Sequence, residues 1–401
     1  MNELEQLAEV AVVVGANVQP GQVVQVSAEI EQLEVVRAIA DAAYRQGARF
    51  VDSQLRDPVL QRSLVVHGPA QAYVPNWADA PTRGLDEVAG ARILIIGPTA
   101  PGLLDDLDPV RVNRAQPPRS RAWRDVEYRV NNTIIPGPHT AWAQTRYPRL
   151  TAEKAHAGLW RDIAVACRLD DEDPVAVWRR RFAELTDRAS QLTRMSLDAI
   201  RLHGPGTDLE IGLLPGARWA GPTNVSERGV LHAWNLPSEE IYTSPDPARV
   251  NGIVRLTRPA VVGGATVKDV TLTLLNGAVT EVTGGGGVER LRAFVDRDTG
   301  TRRVGELALV DADSAVAKVD KPFGLVLLDE NAASHLALGF GFPELADEHT
   351  RAHVNQSGDH LDLTIGSREL RITGLDRAGG PERPLMRDGR WVPAGSDNGR
   401  L

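Results

Sequence analysis

Two residues that can bind a metal ion, His360 and Asp362, stand two positions apart in the segment NQSGDHLDLTIGS. If this segment is a strand, both side chains point to the same side, because alternate residues of a strand share a face. Two ligands on one face of a rigid element are a good way to fix the geometry of a metal ion. The same spacing also fits an incidental pair on the protein surface.

A third candidate, Glu306, is the acid of the otherwise apolar stretch RRVGELALV. The stretch predicts a buried strand, and an unpaired charge inside such a strand is energetically expensive. Glu306 therefore needs a partner, which makes it the most informative single acid of the chain.

Two further candidates have weaker local signals. His335 lies in ENAASHLALG, which predicts the start of a helix capped by Asn331 or Ser334, so a capping or core histidine is the simpler interpretation. Glu240 precedes IYTSPD and could be an exposed loop carboxylate, with Glu239 beside it equally available. Together, the three carboxylates and two imidazoles would form an oxygen- and nitrogen-rich set that suits zinc, cobalt or manganese.

Length and charge limit the class of protein. A chain of 401 residues buries at least one large core and is long enough for two. The net charge of -8 argues against a nucleic-acid partner. The arginine-rich stretch from Arg111 to Arg129 is the exception, but its acids and prolines favour a solvated or interface loop.

Cysteine content and hydropathy indicate a cytoplasmic protein. The single cysteine, Cys167, excludes an intramolecular disulfide framework and lies in an apolar helical pattern. The longest apolar runs are far too short to span a membrane. The acidic, amphipathic segment MNELEQLAEV does not resemble a signal peptide.

The order of predicted elements indicates two domains. In residues 1–195, strands alternate with helices, which predicts an N-terminal α/β domain with a parallel sheet. A long helical pattern from Pro174 to about Leu202, with Asp173 as its N-cap, connects the two regions. In residues 196–401, strands bounded by Gly, Pro, Asp and Asn predict a C-terminal α+β metal-binding domain rich in antiparallel strands.

Several long segments of the sequence resemble the M29 family of metallo-aminopeptidases, and together these segments span nearly the whole chain. The family consists of exopeptidases that use two divalent metal ions and form dimers. The matching segments imply that the metal ligands are Glu240, Glu306, His335, His360 and Asp362. They also imply that Glu306 or Asp362 bridges the two ions. The words that carry the resemblance are VQPGQVVQV, DDEDPVAVW, GPGTDLEIGL, NLPSEEIYTSPD, RRVGELALV, LLDENAASHLALG and NQSGDHLDLTIGS.

The resemblance implies a metal-dependent aminopeptidase that acts on peptides with a water activated by two zinc, cobalt or manganese ions. It also implies a homodimer, with no nucleic-acid or membrane partner. Within SEEIYTSP we assign the second glutamate, Glu240, because the family's ligand directly precedes the aliphatic–aromatic pair.

One position departs from the family pattern. Seven residues after His335, where many members carry a tyrosine beside the metal ions, this chain has Phe342. A phenol can donate a hydrogen bond to the developing oxyanion, and losing one such donor costs about 10²–10³ in rate. Candidates for a substitute donor are His349, Arg351 and His353.

Two other functions remain open on the sequence. His335, His360 and Asp362 alone make the two-histidine, one-carboxylate set of mononuclear Fe(II) oxygenases, and ring-cleaving dioxygenases resemble the M29 family. Retention of Glu240 and Glu306 argues against this reading, because a mononuclear site has no use for two extra acidic ligands. A non-catalytic binding protein on the same fold is the third hypothesis.

Overall fold

The computed structural model describes residues 1–69, 77, 79–108, 111–112, 126–262, 265–319, 321–377 and 380–393. The chain divides into two compact units, Met1–Arg180 with Thr223–Ser238, and Arg181–Pro222 with Glu239–Leu401. Most of the stretch from Arg111 to Arg129 lies outside the described residues, so its assignment as a loop stays a prediction. Within the described ranges, no helix is both long and apolar enough to cross a membrane.

The first unit contains the predicted parallel sheet. Its strand order is β2-β1-β3-β4, and every neighbouring pair is parallel. These strands are β1 (Val23–Glu29), β2 (Phe50–Arg56), β3 (Ala91–Ile96) and β4 (Asn131–Pro136). Helices found in this unit are α1 (Glu3–Val10), α2 (Leu33–Arg45), α3 (Pro58–His67), α4 (Ala80–Glu87), α5 (Thr140–Arg146) and α6 (Ala152–Ala166). A short antiparallel hairpin, β7 (Thr223–Val225) and β8 (Leu231–Ala233), belongs to the same unit.

The long connecting helix, α7, runs from Pro174 to Met195. As predicted, Asp173 caps it: the Asp173 carboxylate accepts a hydrogen bond from the backbone of Ala176 over 3.0 Å. The prediction that the helix continues to about Leu202 is wrong. The chain turns at Ser196, whose φ of 48° is left-handed, and a strand follows.

The second unit contains a large antiparallel sheet with the order β14-β13-β10-β6-β5-β18-β19-β20. The predicted NGAV turn joins two of its strands, and Asn276 and Gly277 both have the positive φ that such a turn requires. The strands are β5 (Ala199–Gly204), β6 (Thr207–Leu213), β10 (Pro245–Arg255), β13 (Thr271–Leu275), β14 (Ala278–Thr283), β18 (Arg371–Leu375), β19 (Arg383–Arg387) and β20 (Arg390–Trp391). The unit also contains the hairpin β11 (Ala260–Val262) and β12 (Ala265–Val267), and helices α8 (Val288–Val295) and α9 (Val326–Asp329).

A smaller antiparallel sheet of the second unit has the order β17-β16-β15-β9. Its strands are β9 (Glu240–Thr243), β15 (Val304–Val310), β16 (His335–Gly339) and β17 (His360–Thr364). Alternate residues of this sheet, including Leu307, Leu336 and Leu363, join the same buried cluster as Ile200 and Leu209 of the large sheet. One face of the small sheet is therefore fixed by the apolar core, and the other face is free to carry polar side chains.

Candidate metal centre

The small sheet places all five predicted ligands on one face. Cross-strand partners point to the same side, and every second residue of a strand returns to it. The register pairs Ala308 with Tyr242 and with His335, and it pairs Ala337 with Glu306 and with Asp362. By this alternation, the shared face carries Glu240, Tyr242, Glu306, Ala308, Val310, His335, Ala337, Gly339, His360, Asp362 and Thr364.

Small residues form the floor between the ligands. Ala308 and Ala337 are fully buried and lie between longer polar side chains of the neighbouring strands. Gly339 pairs with His360, and a Cβ at Gly339 would lie 2.0 Å from the carbonyl oxygen of Asp359. The ligand side chains can therefore converge above these three positions.

His335 is the first residue of β16, so the prediction that it begins a helix is wrong. The expected caps have other roles. Asn331 Oδ1 accepts a hydrogen bond from the backbone of Glu239 over 2.6 Å, and the Ser334 hydroxyl bonds to the backbone of Val310. Both residues anchor the chain at the start of the strand.

The ligand atoms form two groups of three that share one carboxylate. Glu240, Glu306 and His335 make one group, and Glu306, His360 and Asp362 make the other; within each group the ligand atoms lie within 4.8 Å of one another. His335 Nε2 lies 3.2 Å from Glu240 Oε2, and His360 Nε2 lies 3.0 Å from Glu306 Oε2. Glu306, the isolated acid of an apolar strand, is thus the residue common to both groups.

The two imidazoles are oriented in the way that metal-binding histidines usually are. His360 Nδ1 donates to the carbonyl oxygen of Phe340 over 3.0 Å, and His335 Nδ1 lies 3.4 Å from the carbonyl oxygen of Ala333. Such backbone contacts fix the ring and leave the other nitrogen for the metal ion. In both residues Nε2 faces the carboxylates.

The pKa shifts of the clustered residues indicate that positive charge stabilises this site. Burial, reinforced by Glu306 and Asp362, raises the pKa of Glu240 to about 7 although His335 opposes the shift. Burial should lower the pKa of His360, but its hydrogen bonds to Asp362 and Glu306 raise the pKa to about 11. The pKa of Asp362 is lowered despite burial, because His360 stabilises its charged form. Protons on the imidazoles or divalent cations can supply this charge.

An orphaned atom shows that the residues fit a metal ion. Glu240 Oε2 is buried, and although His335 Nε2 lies 3.2 Å away, no hydrogen bond of acceptable geometry reaches this oxygen among the described residues. A buried carboxylate oxygen without a donor is costly unless a cation is bound to it. The oxygen and imidazole donors of the two groups are those preferred by zinc and similar ions.

The two neighbouring glutamates, Glu239 and Glu240, make different contacts in the structure. The Glu239 side chain is fully buried. Its carboxylate accepts a hydrogen bond from Arg181 Nε over 2.6 Å and another from the backbone N–H of Ala315 over 3.0 Å. Arg181 also contacts Asp311 Oδ2 at 3.0 Å. Glu239 is therefore engaged by an arginine and a backbone amide, while Glu240 belongs to one of the groups that could hold a metal ion.

Glu330 is a functional candidate that the sequence analysis missed. It lies in a short 3-10 turn at Glu330–Ala332, just before β16. Burial and the negative charges of Asp362, Glu240 and Glu306 raise its pKa well above the usual value. No periodic pattern marks this glutamate; only its position five residues before His335 could have drawn attention to it.

Phe342 lies beside the cluster, as the resemblance implied. Its ring centroid is 5.9 Å from that of His360 and 5.2 Å from that of Tyr242. The proposed substitutes behave differently: His349, Arg351 and His353 are exposed, and among the described residues none of them forms a hydrogen bond or ion pair with a ligand. The structure therefore points away from these three as donors inside the site.

Comparison with known proteins gives a consistent result. The sequence model of the family described as "Thermophilic metalloprotease (M29)" matches residues 1–391. Aminopeptidase T of Thermus thermophilus is 38% identical over 403 residues, which cover 97% of this chain and 98% of that protein. Aminopeptidase 2 of Geobacillus stearothermophilus is 36% identical over 405 residues, with the same coverage. The solved structure titled wild-type AmpT from Thermus thermophilus matches with a TM-score of 0.90 at 37% identity, covering 98% of this chain and 99% of that one.

These relatives give no support to the oxygenase alternative. The arrangement of the ligands also argues against it, because His335 and His360 belong to different groups of three. A facial triad requires both imidazoles and one carboxylate around a single ion.

Proposed function

The chain belongs to the M29 family of thermophilic metalloproteases, and we propose that it is an aminopeptidase whose catalytic water is activated between two divalent metal ions. The membership and the names of the relatives make it a metallo-aminopeptidase, a hydrolase that acts on peptides. The observation that supports a centre of two ions is the pair of three-residue groups that share Glu306.

Each group would hold one ion. Glu240 and His335 would bind the first ion, His360 and Asp362 the second, and Glu306 would bridge them. Charge balance supports this number, since Glu240, Glu306, Asp362 and the adjacent Glu330 bring four carboxylates, the charge that two divalent cations neutralise. Zinc, cobalt and manganese all accept such donors.

When bound, the ions lower the pKa of a water molecule to near neutrality and polarise the scissile carbonyl. The protein's own contribution begins with the carboxylate of Glu330, which lies near the ligands but belongs to neither group. We assign it the transfer of the water proton to the leaving amine, a step that requires a carboxylate within hydrogen-bond reach. The apolar rings of Phe340 and Phe342 lie beside the His360 ring, with centroids 4.5 Å and 5.9 Å away.

The wider organisation is also part of the proposal. We assign catalysis to residues 196–401, which include all five ligands, and the supporting α/β fold to residues 1–195. We also propose a cytoplasmic location, on the basis of the sequence composition, and a homodimer, on the basis of the family resemblance. Analytical ultracentrifugation of the purified protein measures its oligomeric state directly.

The experiment that tests the function uses purified protein stripped with a chelator and reloaded separately with Zn²⁺, Co²⁺ or Mn²⁺. We expect hydrolysis of amino-acid anilides and short peptides by the reloaded enzyme only. Peptides with an acetylated N-terminus are the matched control and should remain intact. Absence of turnover across a broad panel of unblocked peptides by fully metal-loaded enzyme would overturn the proposal.

A further inference from the structure

Tyr242 stands beside the metal-binding groups on the ligand face of the small sheet. It follows Glu240 by two residues on β9, and its cross-strand partner is Ala308. Ala308 pairs on its other side with His335. The side chain of Tyr242 therefore borders the space above Ala308, where Glu240, Glu306 and His335 converge.

Aromatic contacts hold Tyr242 at this position. Its ring meets the ring of Phe342 edge to face, with centroids 5.2 Å apart and an angle of 63° between the planes. Phe342 is itself anchored, because its backbone N–H donates to the Ser244 hydroxyl over 2.7 Å. Phe342 also meets Phe340 edge to face, and both of these rings contact His360, so the three rings form one wall beside this histidine.

Of the three rings in this wall, Tyr242 alone carries a hydrogen-bond donor. Thr364 is the other hydroxyl on the ligand face that the register reveals, paired with His335 on the opposite side from Ala308. Its hydroxyl is attached directly to Cβ and stays close to the sheet. A tyrosine hydroxyl lies at the far end of the aromatic ring and therefore extends much further from the sheet.

Peptide hydrolysis creates a need for such a donor. When the water oxygen bonds to the scissile carbon, the π electron pair of the carbonyl moves onto its oxygen, which becomes an oxyanion. A donor that meets the oxyanion stabilises the transition state. The C–N bond then breaks, the carbonyl re-forms, and the amine leaves with the proton taken from the water.

We propose that the Tyr242 hydroxyl donates this hydrogen bond, keeping its own proton throughout, and that it supplies from β9 the phenol that position 342 lacks. The inference rests on the proposed aminopeptidase function. Phe342 contributes the edge-to-face contact that orients the Tyr242 ring. The two aromatic positions act as a pair, of which one carries the hydroxyl.

The test compares Tyr242→Phe with the double variant Tyr242→Phe, Phe342→Tyr. Tyr44→Phe, which removes the phenol of a residue exposed at 49% in the other unit, is the matched control. The measurements are kcat and KM on an amino-acid anilide, the metal content of each variant, and calorimetric affinities for two ligands. These ligands are the free amino acid product and a phosphinic pseudodipeptide, whose tetrahedral anion mimics the oxyanion.

We expect Tyr242→Phe to lower kcat by about 10²–10³ with little change in KM. Affinity for the phosphinate should fall while affinity for the free amino acid product and the metal content stay unchanged. Phe342→Tyr should restore part of both losses, and Tyr44→Phe should behave as wild type.

Two results would overturn the inference. One is a Tyr242→Phe enzyme with full metal content and unchanged kcat and phosphinate affinity. The other is loss of metal from this variant, which would assign Tyr242 a structural role. If the wild-type protein hydrolyses no peptide, the proposed function fails, and the phosphinate titration still decides whether Tyr242 binds a tetrahedral anion.

Discussion

Arg181 and Glu239 form a buried ion pair directly beside the candidate metal centre, with 2.6 Å between Nε and Oε2. The Glu239 side chain is fully shielded from solvent, and Arg181 retains 15% of its exposure. Since Glu240 is the next residue, this pair fixes the backbone that presents the ligand. A contact outside the ligand set thus determines where a ligand lies.

We therefore expect Arg181→Met to destabilise the protein by about 3–5 kcal/mol, because Glu239 and Asp311 would remain buried without their cation. Urea unfolding measures this change. Arg201→Met is the control, since the pair of Arg201 with Asp208 is exposed and should contribute no more than about 1 kcal/mol. Equal effects of the two substitutions would mean that the buried pair does not hold Glu239 in place.

Much of the fold could be predicted from the sequence because the patterns that indicate it lie within short stretches of the chain. Alternating strands and helices indicated the parallel sheet of the first unit, and the Asn276–Gly277 turn indicated a hairpin. The His360 and Asp362 pair was predictable for the same reason, since both residues lie on one strand. Each of these signals is carried by residues that are close in sequence.

The parts that failed depend on contacts between distant segments. His335 follows polar residues that favour a helix cap, but pairing with β15 and β17 makes it part of a strand. Glu330 escaped notice because only the fold brings it near Asp362, 32 positions away by residue number. Glu239 and Glu240 were equivalent in sequence, and Arg181 of a distant helix distinguishes them.

The shared position of Glu306 leads to a prediction about metal stoichiometry. Glu306→Gln removes a ligand from both groups, whereas His360→Gln removes one from the second group alone. We expect the first variant to lose both ions and the second to keep one ion per chain. Elemental analysis after dialysis measures the bound metal, and identical stoichiometry of the two variants would exclude Glu306 as the bridge.

Glu330 gives a prediction that separates proton transfer from metal binding. If Glu330 carries the proton, Glu330→Gln should lower kcat by about 10²–10⁴ while two ions remain bound. A neutral amide keeps the size of the side chain but cannot accept the proton. Loss of one ion from the purified variant would instead make Glu330 a ligand, and the proton would need another acceptor.

His232 predicts how stability changes with pH away from the metal centre. It is buried in the first unit, with Nδ1 at 2.7 Å from the carbonyl oxygen of Asn132. Within the described part of the chain, its Nε2 has no hydrogen-bond partner. Burial therefore disfavours the protonated ring and lowers the pKa of His232 from 6.5 to about 4.

The sign of the effect follows from proton binding. Between pH 6.5 and about 4, the unfolded chain binds a proton at His232 that the folded protein does not. The stabilising contribution is thus complete above pH 6.5 and falls as the pH drops, by about 3 kcal/mol at pH 4. We expect urea unfolding to show a steeper loss of stability below pH 6.5 for wild type than for His232→Gln. His203→Gln, at an exposed histidine, should keep the wild-type slope, and parallel slopes for wild type and His232→Gln would contradict a neutral buried ring.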